Sequence, residues 1–164
     1  MITPWESLYA LALLGVANST PWIVGKFSAG RVAWPMDGGH VAWDGEHWLG
    51  SHKTWRGFIA GTLACAIIAE LWTGNAWSGA GFGALSLSGD ALSSCFKRRL
   101  RREPGSEVPL VDQLPECLLP LLVYARPLGL TTYDVIGVAV AFSLAGIALT
   151  RLRAFMFTWG AGRN

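Results

Sequence analysis

Five apolar stretches, each followed by a polar loop, decide what this chain can fold into. They run from about Trp5 to Val24, Gly57 to Thr73, Trp77 to Phe96, Leu114 to Leu128 and Tyr133 to Leu149. The fourth is short and proline-rich, and the fourth and fifth lie near the lower length limit for a membrane span. Backbone in lipid has to satisfy its own hydrogen bonds, so stretches of this kind are helices. The expected fold is all-α: a polytopic integral membrane protein with five transmembrane helices in one domain over residues 1–164. With 52% hydrophobic and 15% charged residues, the chain is too apolar for an ordinary soluble domain. Nine tryptophans fit the same class, because tryptophan collects at membrane–water boundaries. The first segment lacks a basic flank and a small-residue cleavage site, so it reads as a retained span.

An odd number of spans puts the termini on opposite sides, and the distribution of cations decides which is which. With the N-terminus outside and the C-terminus cytosolic, residues 25–56, residues 97–113 and the tail face the cytosol. These parts carry twelve of the thirteen lysines and arginines, Arg126 being the exception. Positive charge stays on the cytosolic side, so the chain is expected in the cytoplasmic (inner) membrane with that orientation. Gly57 and Gly61, and again Gly79 and Gly83, have the spacing that lets helices approach closely in lipid. The second and third segments are joined only around Gly74-Asn75, so they should be antiparallel neighbours sharing a glycine-lined seam. Cys65, Cys95 and Cys117 lie in apolar segments without metal-ligand spacing and read as packing.

The chemistry gathers where the third segment leaves the membrane. Asp90 lies about 10 Å along a helix from Lys97. A carboxylate at that depth is expensive and marks a functional site. Asp90, Ser94, Lys97 and Arg101 follow spacings of four, three and four, which would put them on one helix face. The run Lys97, Arg98, Arg99, Arg101, Arg102 also suits plain anionic-lipid attraction, but that role needs no Asp90. At the far end of the same loop Asp112 precedes the fourth segment, either as a helix cap or as a second carboxylate returned to the same rim. One or two carboxylates plus substrate phosphates are what Mg²⁺ usually takes. Lys53, Thr54 and Arg56 sit where the second segment begins, and a helix N-terminus flanked by cations is an anion site. Their plainer reading is headgroup anchoring. His40, His47 and His52 have neither H-E-x-x-H nor zinc-finger spacing and read as headgroup-surface histidines.

No nucleophile–base pattern and no Walker loop is present. One reaction class needs neither. A phosphate monoester is already largely dianionic at pH 7 and attacks phosphorus without a protein base. The protein then has only to neutralise charge and align the groups.

In order along the chain, Asn18-Ser-Thr-Pro21, Pro35-Met-Asp37-Gly, Gly50-Ser-His-Lys53-Thr-Trp-Arg56-Gly57-Phe, Gly89-Asp90-x3-Ser94-x2-Lys97-Arg98-Arg99 and Asp112-Gln113-Leu resemble the motifs of the CDP-archaeol synthase family. That family is a compact relative of the phosphatidate cytidylyltransferases. The resemblance implies a five-helix membrane enzyme that moves a cytidylyl group from CTP to a membrane lipid phosphate, releases pyrophosphate and uses Mg²⁺. By the same resemblance Lys53 and Arg56 face the nucleotide phosphates, and Lys97 and Arg98 the nucleotide or lipid phosphate. Asp90 and Asp112 hold the metal, with Lys53 and Lys97 completing the catalytic set. Asn18 and Asp37 line the nucleotide side, and Thr54, Ser94, Arg99 and Gln113 belong to the substrate-binding motifs.

This chain departs from the pattern with Cys95 in place of phenylalanine, Pro115-Glu116 where a further aspartate is common, and a histidine-rich insert before Lys53. The partners expected are CTP, the lipid phosphate and the bilayer, with no nucleic acid and with self-association left open. Two rivals stand beside this reading: the same chemistry on phosphatidic acid, and a non-enzymatic module binding anionic lipid or a partner protein. A CDP-alcohol phosphotransferase is disfavoured, since Asp37-Gly38 is followed by Gly39-His40 and not by that family's pattern.

Overall fold

The computed structural model describes residues 4–28, 34–102, 108 and 111–161, with backbone alone at 150 and 152–161. Over these residues the chain is all-α, with five helices: α1 (Pro4–Phe27), α2 (Trp55–Thr73), α3 (Ala76–Arg99), α4 (Gln113–Tyr124) and α5 (Thr132–Ala161). Of these, α1, α2 and residues 132–149 of α5 are long and apolar enough to cross a membrane. At 12 residues α4 is shorter than the expected segment, ending at Tyr124 in a turn around Gly129, whose φ is 68°. By contrast α5 runs well past Leu149.

The second helix starts where Thr54 Oγ1 accepts the Gly57 amide at 3.2 Å, and it stops at Gly74 in the left-handed region. One residue later Asn75 caps α3 by accepting from the Ser78 amide at 3.1 Å. Two caps back to back make α2 and α3 an antiparallel hairpin. Their seam is the one expected at Gly79 and Gly83. A Cβ on Gly79 would lie 2.3 Å from the Cys65 carbonyl oxygen, and one on Gly83 2.8 Å from the Cys65 Cβ. The Gly57–Gly61 pair is divided between neighbours instead. Gly57 abuts Pro21 of α1, and Gly61 abuts Leu87 of α3.

The first helix runs through Pro21 to Phe27. Proline removes one amide from the ladder. The hydroxyls of Ser19 and Thr20 bond back to the carbonyls of Gly15 and Val16, both at 2.7 Å. Tyr9 against Trp72 (ring centroids 5.5 Å apart) and Pro21 against Gly57 show α1 antiparallel to α2. Phe82 against Tyr124 and Gly89 against Pro115 show the same for α3 and α4.

The core joins Tyr9, Leu13, Leu14 and Ala17 of α1 to Cys65, Phe82, Cys117, Leu121 and Phe142 from the other helices. Outside it, Ile59, Leu63, Ile67 and Leu71 form an exposed stripe at every fourth residue of α2, and Ile136, Val140 and Leu144 form another on α5. Exposed Trp5, Trp72, Trp77 and Tyr133 ring one end of the bundle, while Trp22, Trp34, Trp43 and Trp55 lie at or beyond the other. Apolar stripes between aromatic ends are what a bilayer selects.

A close helix contact lies beside Asp90. A Cβ on Gly89 would fall 2.2 Å from the Pro115 carbonyl oxygen and 2.8 Å from the Glu116 Cα. Gly89→Ala should therefore push α4 off α3 and lower stability by about 1–3 kcal/mol. Gly137→Ala, with no atom within 4 Å of the new Cβ, should be neutral or stabilising. Thermal melting of the two variants in detergent checks this, and equal melting temperatures would refute the packing argument.

Candidate active site

Lys53 stands one residue before the α2 cap, and its Nζ lies 2.5 Å from Asp90 Oδ2 on α3. The partner of Asp90 thus lies across the interface in the loop before α2 and not on its own helix. Lys97 pairs with Asp112 Oδ1 at 2.7 Å. Asp112 occupies the N-cap position of α4 but makes no side-chain capping bond, and its Oδ2 accepts the Val108 amide at 2.9 Å. The expected one-face row is broken at its end: α3 stops at Arg99, and Arg101 has φ 53°, so it leaves the helix direction. Ser94 donates to the Asp90 carbonyl at 3.0 Å, and Ser93 to the same oxygen at 2.9 Å. Arg98 is buried in the last turn of α3. Gln113 packs over Gly146 of α5.

A third carboxylate joins the two expected ones. Glu116 of α4 is 3% exposed and accepts from Asn18 Nδ2 through both oxygens, at 2.8 and 3.0 Å. Asp90 and Asp112 repel it, and Lys53 attracts it. Its signal in the sequence was the same as that of Asp90, an acid in an apolar segment, and its position where the family pattern has another acid obscured it. Three acids, two lysines and one amide therefore converge from α1, α3, α4 and the loop before α2.

That loop, residues 34–54, is closed on itself. Pro35 bridges Thr54, and Val41 bridges His47. Asp37 ties it through the middle, accepting the amides of Gly39, Leu49 and Gly50, each at 3.0 Å. Burial pushes the Asp37 carboxyl up, but these three amides outweigh it and hold the group below the usual carboxylate range. Asp37 is thus occupied within the loop. Arg99 is occupied there too, with Nη1 2.7 Å from Asp44 Oδ1 and Nη2 donating to the His47 carbonyl at 2.7 Å. Of the histidines, His40 bonds the Asp37 carbonyl, and no cluster of three or more histidine, cysteine or acidic side chains among the described residues is arranged to hold a metal.

Between α1, the loop and α3 lies a cavity of about 530 Å³. Asn18, Pro21, Trp22, Lys26, Met36, His52, Lys53, Thr54, Arg56 and Asp90 are among the residues lining it. The volume is in the range of small-molecule sites. Its walls supply flat apolar surface at Trp22 and Met36, cations at Lys26, Lys53 and Arg56, and one carboxylate. The arrangement suits a ligand with one planar part and several negative charges.

Comparison with known proteins agrees. A family model described as CarS-like, CDP-archaeol synthase, matches residues 79–157. A CDP-archaeol synthase of Hyperthermus butylicus is 32% identical over 93% of this chain and 89% of its own length. That of Aeropyrum pernix is 36% identical over 91% of this chain and 83% of its own. A solved structure described as an intramembrane enzyme for archaeal membrane lipids biosynthesis superposes with a TM-score of 0.72 at 31% identity, covering 92% of this chain and 96% of the other. With the motifs, the fold and these relatives in agreement, the chain belongs to the CDP-archaeol synthase family.

Proposed function

We propose that this chain, by family a CTP-dependent lipid cytidylyltransferase, carries out the transfer at the rim where the cavity meets the Lys53–Asp90 pair, with Lys97–Asp112 on the adjoining ends of α3 and α4. The acceptor is a lipid phosphate of the archaeal ether type. One of its oxygens attacks the α-phosphorus of CTP, the bond to the bridging oxygen breaks, and pyrophosphate leaves with that electron pair. The attacking dianion needs no protein base, so the protein's part is alignment and charge stabilisation.

The Lys53–Asp90 pair in the wall of a cavity of nucleotide size carries this reading, with the Lys97–Asp112 pair linked to it through Glu116, which both aspartates repel. Each lysine ammonium carries three donors, for which incoming phosphate oxygens compete. Lys53 and Arg56, at the N-terminus of α2, face the nucleotide phosphates, and Lys97 and Arg98 serve the acceptor side. Asn18 is held by Glu116 at the inner wall. The oxygen donors of Asp90 and Asp112 fit Mg²⁺, which takes one or two carboxylates and completes its shell with substrate phosphates. When bound there, Mg²⁺ neutralises charge on the transferring phosphates and helps align them. Ser94 and Thr54 act on the backbone, through the Asp90 carbonyl and the α2 cap.

Incubation of the purified protein with labelled CTP, Mg²⁺ and a panel of lipid phosphates should yield a CDP-lipid, fastest with the isoprenoid ether acceptor. A preference for phosphatidic acid would instead assign the diacyl rival. Asp90→Asn should cost orders of magnitude with insertion intact, and Lys53→Ala or Lys97→Ala about 10²–10³ in rate at any salt concentration. Arg102→Ala should cost a few-fold at most, and less at high ionic strength. Equal, salt-sensitive losses at all three cations would support a lipid-binding module instead.

All five helices cross the bilayer in this reading, and the cavity opens to the cytosol at the inner membrane. A cysteine introduced at Gly45 should label from the cytosol and one at Asn75 from outside, because the reverse puts most of the cations across the membrane. Cytosolic labelling at position 75 would overturn the topology.

A further inference from the structure

We infer that Arg99 is a positioning residue for the nucleotide: it latches the far end of the 34–54 loop to α3 and so holds the Lys53 end of that loop in the cavity wall. The inference rests on the function proposed above and gives Arg99 a role apart from substrate contact.

The Arg99 guanidinium rests against two indoles that lie together on one side of it. Its carbon lies 5.5 Å from the Trp43 ring centroid and 5.4 Å from that of Trp48. The two indoles meet edge to face, with centroids 5.5 Å apart and planes at 80°. Its edges are engaged as well, by Asp44 Oδ1 and the His47 carbonyl at 2.7 Å, with the Glu46 carbonyl at 3.4 Å. Asp44 Oδ1 is itself fixed by the Glu46 amide at 3.1 Å. A planar cation with several fixed donors fits this slot. A lysine would keep the charge and lose both the stacking and the fork.

A latch at the tip reaches the cavity because the loop is stiff. Some twenty residues without a helix or extended strand would ordinarily be costly to hold in one shape. Here the Asp37 bonds and the two bridges make the loop one body, open to rotation about its junction with α2. The Met36 amide donates to the Lys53 carbonyl at 2.8 Å, so the inner end moves with the rest. This body supplies Met36, Ser51, His52, Lys53 and Thr54 to the cavity, whereas Lys97 and Asp112 stand on or next to helices that do not depend on it. Releasing the latch therefore acts on the nucleotide before the lipid.

The test compares Arg99→Ala, Arg99→Lys, the pair Trp43→Leu with Trp48→Leu, and the combination of Arg99→Ala with that pair, all in the full chain. Displacement of a binding wall by about an ångström weakens binding and turnover steeply. The KM for CTP should rise about tenfold in Arg99→Ala and in the tryptophan pair, with the lipid-phosphate KM within about twofold of wild type. The combination should be no worse than Arg99→Ala, because both changes remove one interaction. Arg99→Lys should resemble Arg99→Ala, and phenylalanine at both tryptophan positions should restore most of the affinity. Amide hydrogen exchange should accelerate across 36–50 in the weakened variants and stay unchanged in α2 and α3.

Normal CTP affinity in the tryptophan pair alongside lost turnover in Arg99→Ala would make Arg99 a substrate contact and overturn the inference. Unchanged exchange in the loop, or an equal rise in the lipid KM, would overturn it too. If the wild type makes no CDP-lipid at all, the proposed function fails, and the exchange measurement still decides whether Arg99 is a latch.

Discussion

A carboxylate inside an apolar bundle survives only with a cation or a hydrogen-bond donor beside it, and this protein keeps three such groups together. Asp90 takes Lys53, Asp112 takes Lys97, and Glu116 takes both bonds it can accept from Asn18 Nδ2. Losing one partner of such a pair leaves a part-buried charge poorly compensated, which costs more than the pair itself contributes. The arrangement is therefore a constraint on the whole chain. It ties α1 to α4, the loop before α2 to α3, and the end of α3 to the start of α4. Helix packing around it has to be close enough for these side chains to reach one another.

Small residues provide that closeness. Gly89 lets the first turn of α4 settle on α3, which carries Glu116 to the level of Asp90. Gly79 and Gly83 seat α3 on α2, and Gly57 seats α2 on Pro21 of α1. In lipid there is no hydrophobic gain from bringing helices together, so contact area and polar bonds have to do it. Glycine contacts and ion pairs are thus parts of one design: the first allows the distance, and the second gives it a reason to persist.

Much of this was legible in the chain. Five helices, the Gly79–Gly83 seam, the family and its reaction class followed from hydropathy, spacing and motifs. Pairing was not legible. Asp90 has Lys97 two turns away on its own helix, yet its partner is Lys53, 37 residues distant, because Lys97 is taken by Asp112. The destination of Arg99 was equally hidden. It depends on the fold of an irregular loop whose shape is set by Asp37 and by glycines such as Gly50, at φ 90°, and neither has a periodicity to read.

The brevity of α4 has a consequence for the bilayer itself. Twelve residues make a helix about 18 Å long, well short of the roughly 30 Å hydrocarbon layer. Lipid beside such an element thins or tilts to avoid exposing its ends, at a modest elastic cost. The first turn of α4 is also the turn that carries Glu116 past Gly89 toward Asp90. If α4 spans the bilayer as proposed, a dimple at that point would bring the headgroup plane down toward the carboxylates. Elastic deformation of the leaflet would then share the work of bringing a lipid's phosphate to the proposed site, leaving its hydrocarbon chains in their own medium.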